Sequence, residues 1–133
     1  MSEEKKIKAV LLEPGKLART AEIGTSIEDL QNAVDGLIEP FYPFEEQVCI
    51  VCNDEGKING MLPNRSVKNK DGVMVDFIFG PAFICDCRGE SFDSLSDEQI
   101  ARYTKMFRYP EHLARLNGKL IGIPFNPQRE HER

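Results

Sequence analysis

The chain has no tryptophan, only two histidines (His112 and His131) and no long apolar run among its 133 residues. With so few histidines, neither a serine triad nor a cysteine–histidine pair can be assigned. The G-x-S-x-G, G-x-x-x-x-G-K-[ST] and G-x-G-x-x-G patterns are also missing, which removes the common hydrolase, phosphate-loop and dinucleotide-binding signatures. The sequence therefore carries no recognisable catalytic centre, and we predict no cofactor.

Nothing in the chain approaches the roughly 20 apolar residues that span a bilayer, and residues 1–6 lead into a short strand, not into a signal-peptide apolar region. We therefore expect a cytoplasmic protein with no membrane partner. The net charge is −5, without a block of five or six like charges. Broad nucleic-acid binding, which requires a basic face, is not expected.

The order of elements predicts an α+β fold. Apolar and β-branched runs predict strands at residues 7–12, 17–23, 37–44, 47–52, 57–62, 73–79 and 82–87. Helices are expected over 26–35, with Thr25 as N-cap, and from Ser96 to Tyr109, with Ser96 as N-cap and Gln99 as its capping-box partner. Residues 66–72 are polar and predict a loop. Strands that follow one another without helices favour a mainly antiparallel sheet, with both helices packed on one face.

Four cysteines form a C-x-x-C pair, Cys49 and Cys52, and a C-x-C pair, Cys85 and Cys87. Four thiolates are a ligand set for zinc. However, the first pair lies inside a predicted strand, where residues three apart point to opposite faces. Buried free thiols, which behave as small apolar groups, are therefore the favoured interpretation over a metal site.

The candidate binding segment contains Asn53, Glu55, Lys57, Asn64 and Arg65 around a predicted strand end. A lysine and an arginine can hold an anion, and the asparagines offer donor–acceptor pairs. The alternative is a solvated hairpin turn followed by a loop. On the binding hypothesis, these side chains contact a partner and are dispensable for folding.

Gly80 is the sixth candidate, because a glycine inside a strand pattern permits close approach by a ligand. A kink that lets the sheet curl is the alternative. Two clusters of charged residues have structural interpretations. Acidic residues such as Glu45 and Glu46 are typical of a turn, and the basic residues Arg102, Lys105 and Arg108 suit the carboxyl end of a helix.

Several short motifs together resemble a known family: KAV at 8–10, PGK at 14–16, LQ at 30–31, VDGLIE at 34–39, NDEGK at 53–57, LPNR at 62–65, GPAF at 80–83 and SLSDEQI at 94–100. The chain resembles a small domain of unknown function found in bacteriophages, plasmids and conjugative elements of gut and other low-GC bacteria. The resemblance implies a family core at about 7–107, which leaves an extension at 108–133. The polar residues 128–133 predict a frayed, partly disordered tail. Where the family usually has Val-Gly-Gly, this chain has Val34, Asp35 and Gly36.

Three functions are compatible with a single domain over residues 1–133. The leading hypothesis is a non-enzymatic binding module of a phage or mobile element that binds a host protein or a small ligand. The second is sequestration of a small anion or nucleotide signal, and the third is a metal-dependent or hydrolytic enzyme. Because unpaired strand edges invite pairing, the strand at 37–44 also predicts a homodimer.

Overall fold

The computed structural model of the protein describes residues 5–130, apart from the side chain of Glu130. Nine strands and three helices lie in this part of the chain. In chain order they are β1 (Lys6–Leu12), β2 (Arg19–Gly24), α1 (Ile27–Val34), β3 (Ile38–Phe41), β4 (Val48–Asn53), β5 (Pro63–Lys68), β6 (Met74–Phe79), β7 (Ala82–Asp86), α2 (Asp97–Met106), β8 (Glu111–Leu116), β9 (Lys119–Pro124) and α3 (Pro127–Glu130).

The central sheet has five strands in the order β2-β1-β7-β4-β3, and every neighbouring pair is antiparallel. Two further ribbons, β5–β6 and β8–β9, are each made of two antiparallel strands. The predicted α+β class with a mainly antiparallel sheet is confirmed. The short strand β3, which contains Pro40, lies at one edge of the sheet.

The two main helices cover opposite faces of this sheet, so the prediction that they share one face was wrong. Leu30 and Val34 of α1 pack with Ile7 and Phe83 on one face. The other face carries a second apolar cluster, which includes Tyr103 and Phe107 from the α2 region and Val67 and Ile78 from the β5–β6 ribbon. The central strands β1, β4 and β7 are apolar on both faces, and each face therefore needs its own cover.

Side-chain caps define where both helices begin. Ser26 caps α1 by accepting a hydrogen bond from the Asp29 amide. The predicted cap, Thr25, instead donates to the carbonyl of Lys5 and extends the pairing of the first two strands. At α2 the predicted capping box is confirmed, because Ser96 and Gln99 bond each other's backbone amides.

Two predictions between β4 and β6 were wrong. The strand predicted at 57–62 does not form, since residues 54–60 are turns and the next strand begins at Pro63. The predicted polar loop at 66–72 contains the end of β5, which runs to Lys68. Strand β5 includes Asn64, Arg65 and Ser66, all of which are buried. These polar side chains are tolerated in a buried strand because they have hydrogen-bond partners there.

The extension beyond the predicted core forms the β8–β9 hairpin and the short helix α3. The hairpin packs against the β5–β6 ribbon, where the amide and hydroxyl of Ser66 donate to the carboxylate of Glu111 at 3.1 and 2.6 Å. Of the predicted disordered tail, residues 131–133 lie outside the described residues. No helix in the part of the chain that the structure describes is long and apolar enough to cross a membrane.

Asp35 provides a test of how α1 ends. It caps the helix in the left-handed conformation, with φ of 60°, which is unfavourable for residues with a Cβ atom. We expect Asp35→Gly to raise the free energy of unfolding by about 0.5 kcal/mol, and Asp35→Ala to lower it by roughly 1 kcal/mol. Urea denaturation measures both. Equal stability of the glycine and alanine variants would show that the backbone conformation is not the source of strain.

Candidate functional site

Arg65 is fully buried and holds several parts of the chain together. Its Nε donates to the Phe107 carbonyl at 2.6 Å, and its Nη2 donates to the Lys16 carbonyl at 2.6 Å. Its Nη1 donates to the Glu13 carbonyl at 3.1 Å and to the Asn64 side chain at 2.6 Å. Burial lowers the pKa of Arg65 to about 10. Because this value is still well above neutrality, the guanidinium stays charged at pH 7. The predicted anion-binding role of Arg65 therefore needs correction, because its donors are already used inside the fold.

Three more of the predicted binding residues are also structural. The Asn53 amide donates to the carbonyls of Val34 and Asp35 at 3.1 and 3.0 Å and thereby caps the carboxyl end of α1. The fully buried Asn64 donates to the Leu12 and Gly80 carbonyls at 2.9 and 2.8 Å. Gly80 has φ of +80°, and a Cβ there would lie 2.8 Å from atoms of the Met61 side chain. The group that closely approaches Gly80 is therefore the Met61 side chain, where the sequence predicted a ligand.

Of the five binding residues predicted in this segment, only Glu55 and Lys57 are exposed. The Lys57 ammonium lies 2.8 Å from the Asp76 carboxylate. Burial, together with the carboxylates of Glu39, Asp76 and Asp54, raises the pKa of the nearby Cys52 to about 11. The surroundings are thus predominantly negative, which is unfavourable for the anion that the sequence predicted here.

The four cysteines do not converge. Cys49 and Cys85 lie opposite each other on β4 and β7, with their sulfurs 3.9 Å apart, and Cys87 packs against the same apolar cluster. Cys52 packs against the cluster on the other face of the sheet and donates to the Glu39 carbonyl. Within residues 5–130, no three His, Cys, Asp or Glu side chains are arranged to hold a metal. Burial also raises the pKa of Cys87 to about 11, which favours the thiol over the metal-binding thiolate.

A groove of about 630 Å³ lies beside α2, and we call it the α2 groove. Its walls are residues 43–46, the end of β5 with the turn that follows, one face of α2, and Glu111. The floor is aromatic: the centroid of the Phe44 ring lies 4.7 Å from the centroid of the Tyr103 ring and 6.2 Å from that of the Phe107 ring. Met106 is 57% exposed at the rim.

Glu46 is the most densely bonded polar group of the α2 groove. Its carboxylate accepts hydrogen bonds from Arg102 Nη1 at 3.0 Å, from Gln99 Nε2 at 3.3 Å and from the Tyr103 hydroxyl. The hydrogen bond from Tyr103, followed by those from Gln99 and Arg102, lowers the pKa of Glu46 against the opposing effect of burial. Burial and the neighbouring Glu46 carboxylate raise the pKa of Tyr103. Near neutral pH the site is therefore an ionised carboxylate that faces a protonated phenol.

A family model described as "Domain of unknown function (DUF3846)" matches residues 7–108. The chain belongs to this family. No curated protein and no solved structure matches the chain. Within this DUF3846 domain lie both main helices and the central sheet except Lys6, whereas β8, β9 and α3 follow it.

Residues of the DUF3846 domain form most of the α2 groove. The sequence patterns did not predict this groove. Glu46 was assigned to a turn and Arg102 to a basic stripe. A partial signal existed, since Gln99, Arg102 and Tyr103 are spaced i, i+3 and i+4 and share one helix face. No sequence pattern indicates that Glu46, more than 50 residues earlier, would meet this face.

The different roles of Arg65 and Lys57 can be tested by stability. We expect Arg65→Lys to lower the free energy of unfolding by about 3 kcal/mol or more, because an ammonium cannot replace the planar fork and leaves buried carbonyls unbonded. Lys57→Ala removes one exposed ion pair and should cost less than about 1 kcal/mol. Urea denaturation measures both, and similar losses for the two variants would contradict the structural role of Arg65.

The lowered pKa of Glu46 predicts a dependence of stability on pH. A carboxylate whose pKa is lowered by folding contributes stability above its ordinary range, about pH 4.3, and this contribution is lost as pH falls through the folded-state pKa. The wild type should therefore be more stable than Glu46→Gln by a constant amount from about pH 6 to 8. This difference should shrink below about pH 4. Thermal unfolding at several pH values measures it, and a difference that does not change with pH would contradict the prediction.

Proposed function

We propose that this DUF3846 domain is a non-enzymatic binding module and that the α2 groove is its site for a small organic ligand. The observation that carries the proposal is the combination of an aromatic floor with a polar rim in one concave surface. Ligand sites are typically such clefts of about 300–1,000 Å³, with a few convergent polar groups, and the groove of about 630 Å³ falls in this range.

The lining of the α2 groove suits a flat, partly apolar molecule. Phe44 and Met106 both line the groove and offer apolar surface, and Met106 adds a polarizable thioether. Aromatic and thioether groups favour contact with planar rings. At the rim, the ammonium of Lys70 lies 3.5 Å from the Glu45 carboxylate, and both side chains are exposed. Such a surface favours a ring system that carries one polar end.

Binding fits the chemistry of the groove better than catalysis does. Efficient acid–base catalysis needs groups with pKa values near the working pH. Here the pKa of Glu46 is lowered and that of Tyr103 is raised, which moves both away from neutrality. Glu46 is therefore a weak base and Tyr103 a weak acid at pH 7, which suits hydrogen bonding better than proton transfer.

The α2 groove replaces residues 53–65 as our preferred binding surface. In that segment the buried Arg65 and Asn64 are not accessible, and the exposed Lys57 is paired with Asp76. The phage or mobile-element setting, the cytoplasmic location, a host-protein partner and a homodimer through the sheet edge at β3 stay predictions.

Groove binding can be tested with a variant that alters the rim but not the core. We expect nucleotides, nucleosides or aromatic carboxylates to raise the melting temperature of the wild type. A ligand at a hundred times its Kd adds about 2.7 kcal/mol to the free energy of unfolding. Met106→Glu places a charge at the exposed edge of the apolar floor, which is unfavourable for an apolar ligand, and should remove most of the shift.

The matched control is Ala101→Glu, which adds the same charge at an exposed position of α2 that does not line the groove. It should leave the shift unchanged. If both variants lose the shift equally, or if neither loses it, the ligand binds somewhere other than the α2 groove. If none of the three compound classes shifts the wild type, the small-ligand proposal is wrong.

A further inference from the structure

Three donors on one face of α2 converge on a single carboxylate. Gln99, Arg102 and Tyr103 direct an amide, a guanidinium and a phenol towards Glu46. The i, i+3 and i+4 spacing brings the three side chains together without help from any other element. The recognition surface is therefore part of the helix, whereas the group that it binds comes from the loop between β3 and β4.

We propose that Gln99, Arg102 and Tyr103 form a carboxylate-binding site that Glu46 occupies as an internal ligand, and that the carboxylate of a groove ligand takes its place. The second half of this proposal rests on the proposed function of the α2 groove. It adds the ligand class, which is a planar molecule with one carboxylate.

The position of Glu46 allows such an exchange. It lies outside β3 and β4, in a loop that contains Pro43, and its side chain is 34% exposed. The carboxylate can therefore leave without breaking the hydrogen bonds of a strand. The polypeptide on either side remains fixed by the pairing of β3 with β4.

The donors select for a carboxylate over a neutral group. Tyr103 is only 2% exposed, and a buried hydroxyl without an acceptor is costly. The departure of Glu46 also leaves the Arg102 guanidinium without its ion pair. A carboxylate satisfies both groups, since it accepts hydrogen bonds and carries one negative charge. A carboxamide replaces the charge with an amide and satisfies them less well.

The internal ligand should also weaken binding from solution. A group tethered by a short loop competes with an effective concentration in the millimolar range or above. Removing the Glu46 carboxylate should therefore raise the affinity for external carboxylates by about tenfold or more. The matched control is Glu90→Ala, because Glu90 is an exposed loop carboxylate that does not line the α2 groove.

The first test is chemical rescue of Glu46→Ala by acetate. Acetate should raise the melting temperature of this variant more than acetamide or chloride does at the same concentration and ionic strength. The wild type and Glu90→Ala should not distinguish the three additives. If Glu46→Ala does not fold alone, folding in acetate but not in acetamide supports the proposal equally. Equal responses to acetate and acetamide would overturn it.

The second test connects the site with the α2 groove and uses benzoate and benzamide. Glu46→Ala should bind benzoate about tenfold more tightly than the wild type does, with little change for benzamide. Acetate rescue without this gain for benzoate would leave the carboxylate site in place but overturn its role in ligand binding. If rescue also fails, both halves of the proposal are wrong, whatever other ligands the groove binds.

Discussion

The buried guanidinium of Arg65 is the interaction on which the arrangement of the fold depends. It lies on β5 and donates to carbonyls in the β1–β2 connection, at Glu13 and Lys16, and to Phe107 at the end of α2. Few other side chains can bond so many carbonyls at once, because arginine has five donors in a planar fork. These bonds fix the β5–β6 ribbon and the carboxyl end of α2 over the same face of the sheet.

The α2 groove is a consequence of this placement. Its floor contains Phe107, whose carbonyl accepts a hydrogen bond from Arg65, and Tyr103, one turn earlier in α2. The carboxyl end of α2 is bonded to Arg65 on the core side, and the outer side of the helix is exposed. The polar face of α2 can therefore present donors in a fixed geometry. Glu46 then joins the β3–β4 loop to this face, so that the groove walls come from four separate parts of the chain.

Local features of the fold were predictable because their causes are local. The capping box of Ser96 and Gln99 and the end of α1 near Asp35 follow from side chains within a few residues of one another. The antiparallel sheet followed from strands that succeed each other without helices. The placement of the helices was not predicted, although the continuous apolar runs of β4 and β7 did indicate strands that are buried on both faces.

The α+β class, the two main helices, most of the central strands and membership of a recognisable family were predictable from the sequence alone. Which polar residues are buried, and which are available to a partner, follows only from the packing of the folded chain. Asn53, Asn64 and Arg65 resemble a binding surface in sequence, yet their donors meet backbone carbonyls far away along the chain. A polar side chain has the same chemistry in both situations, and its role depends on which groups the fold brings within hydrogen-bond distance.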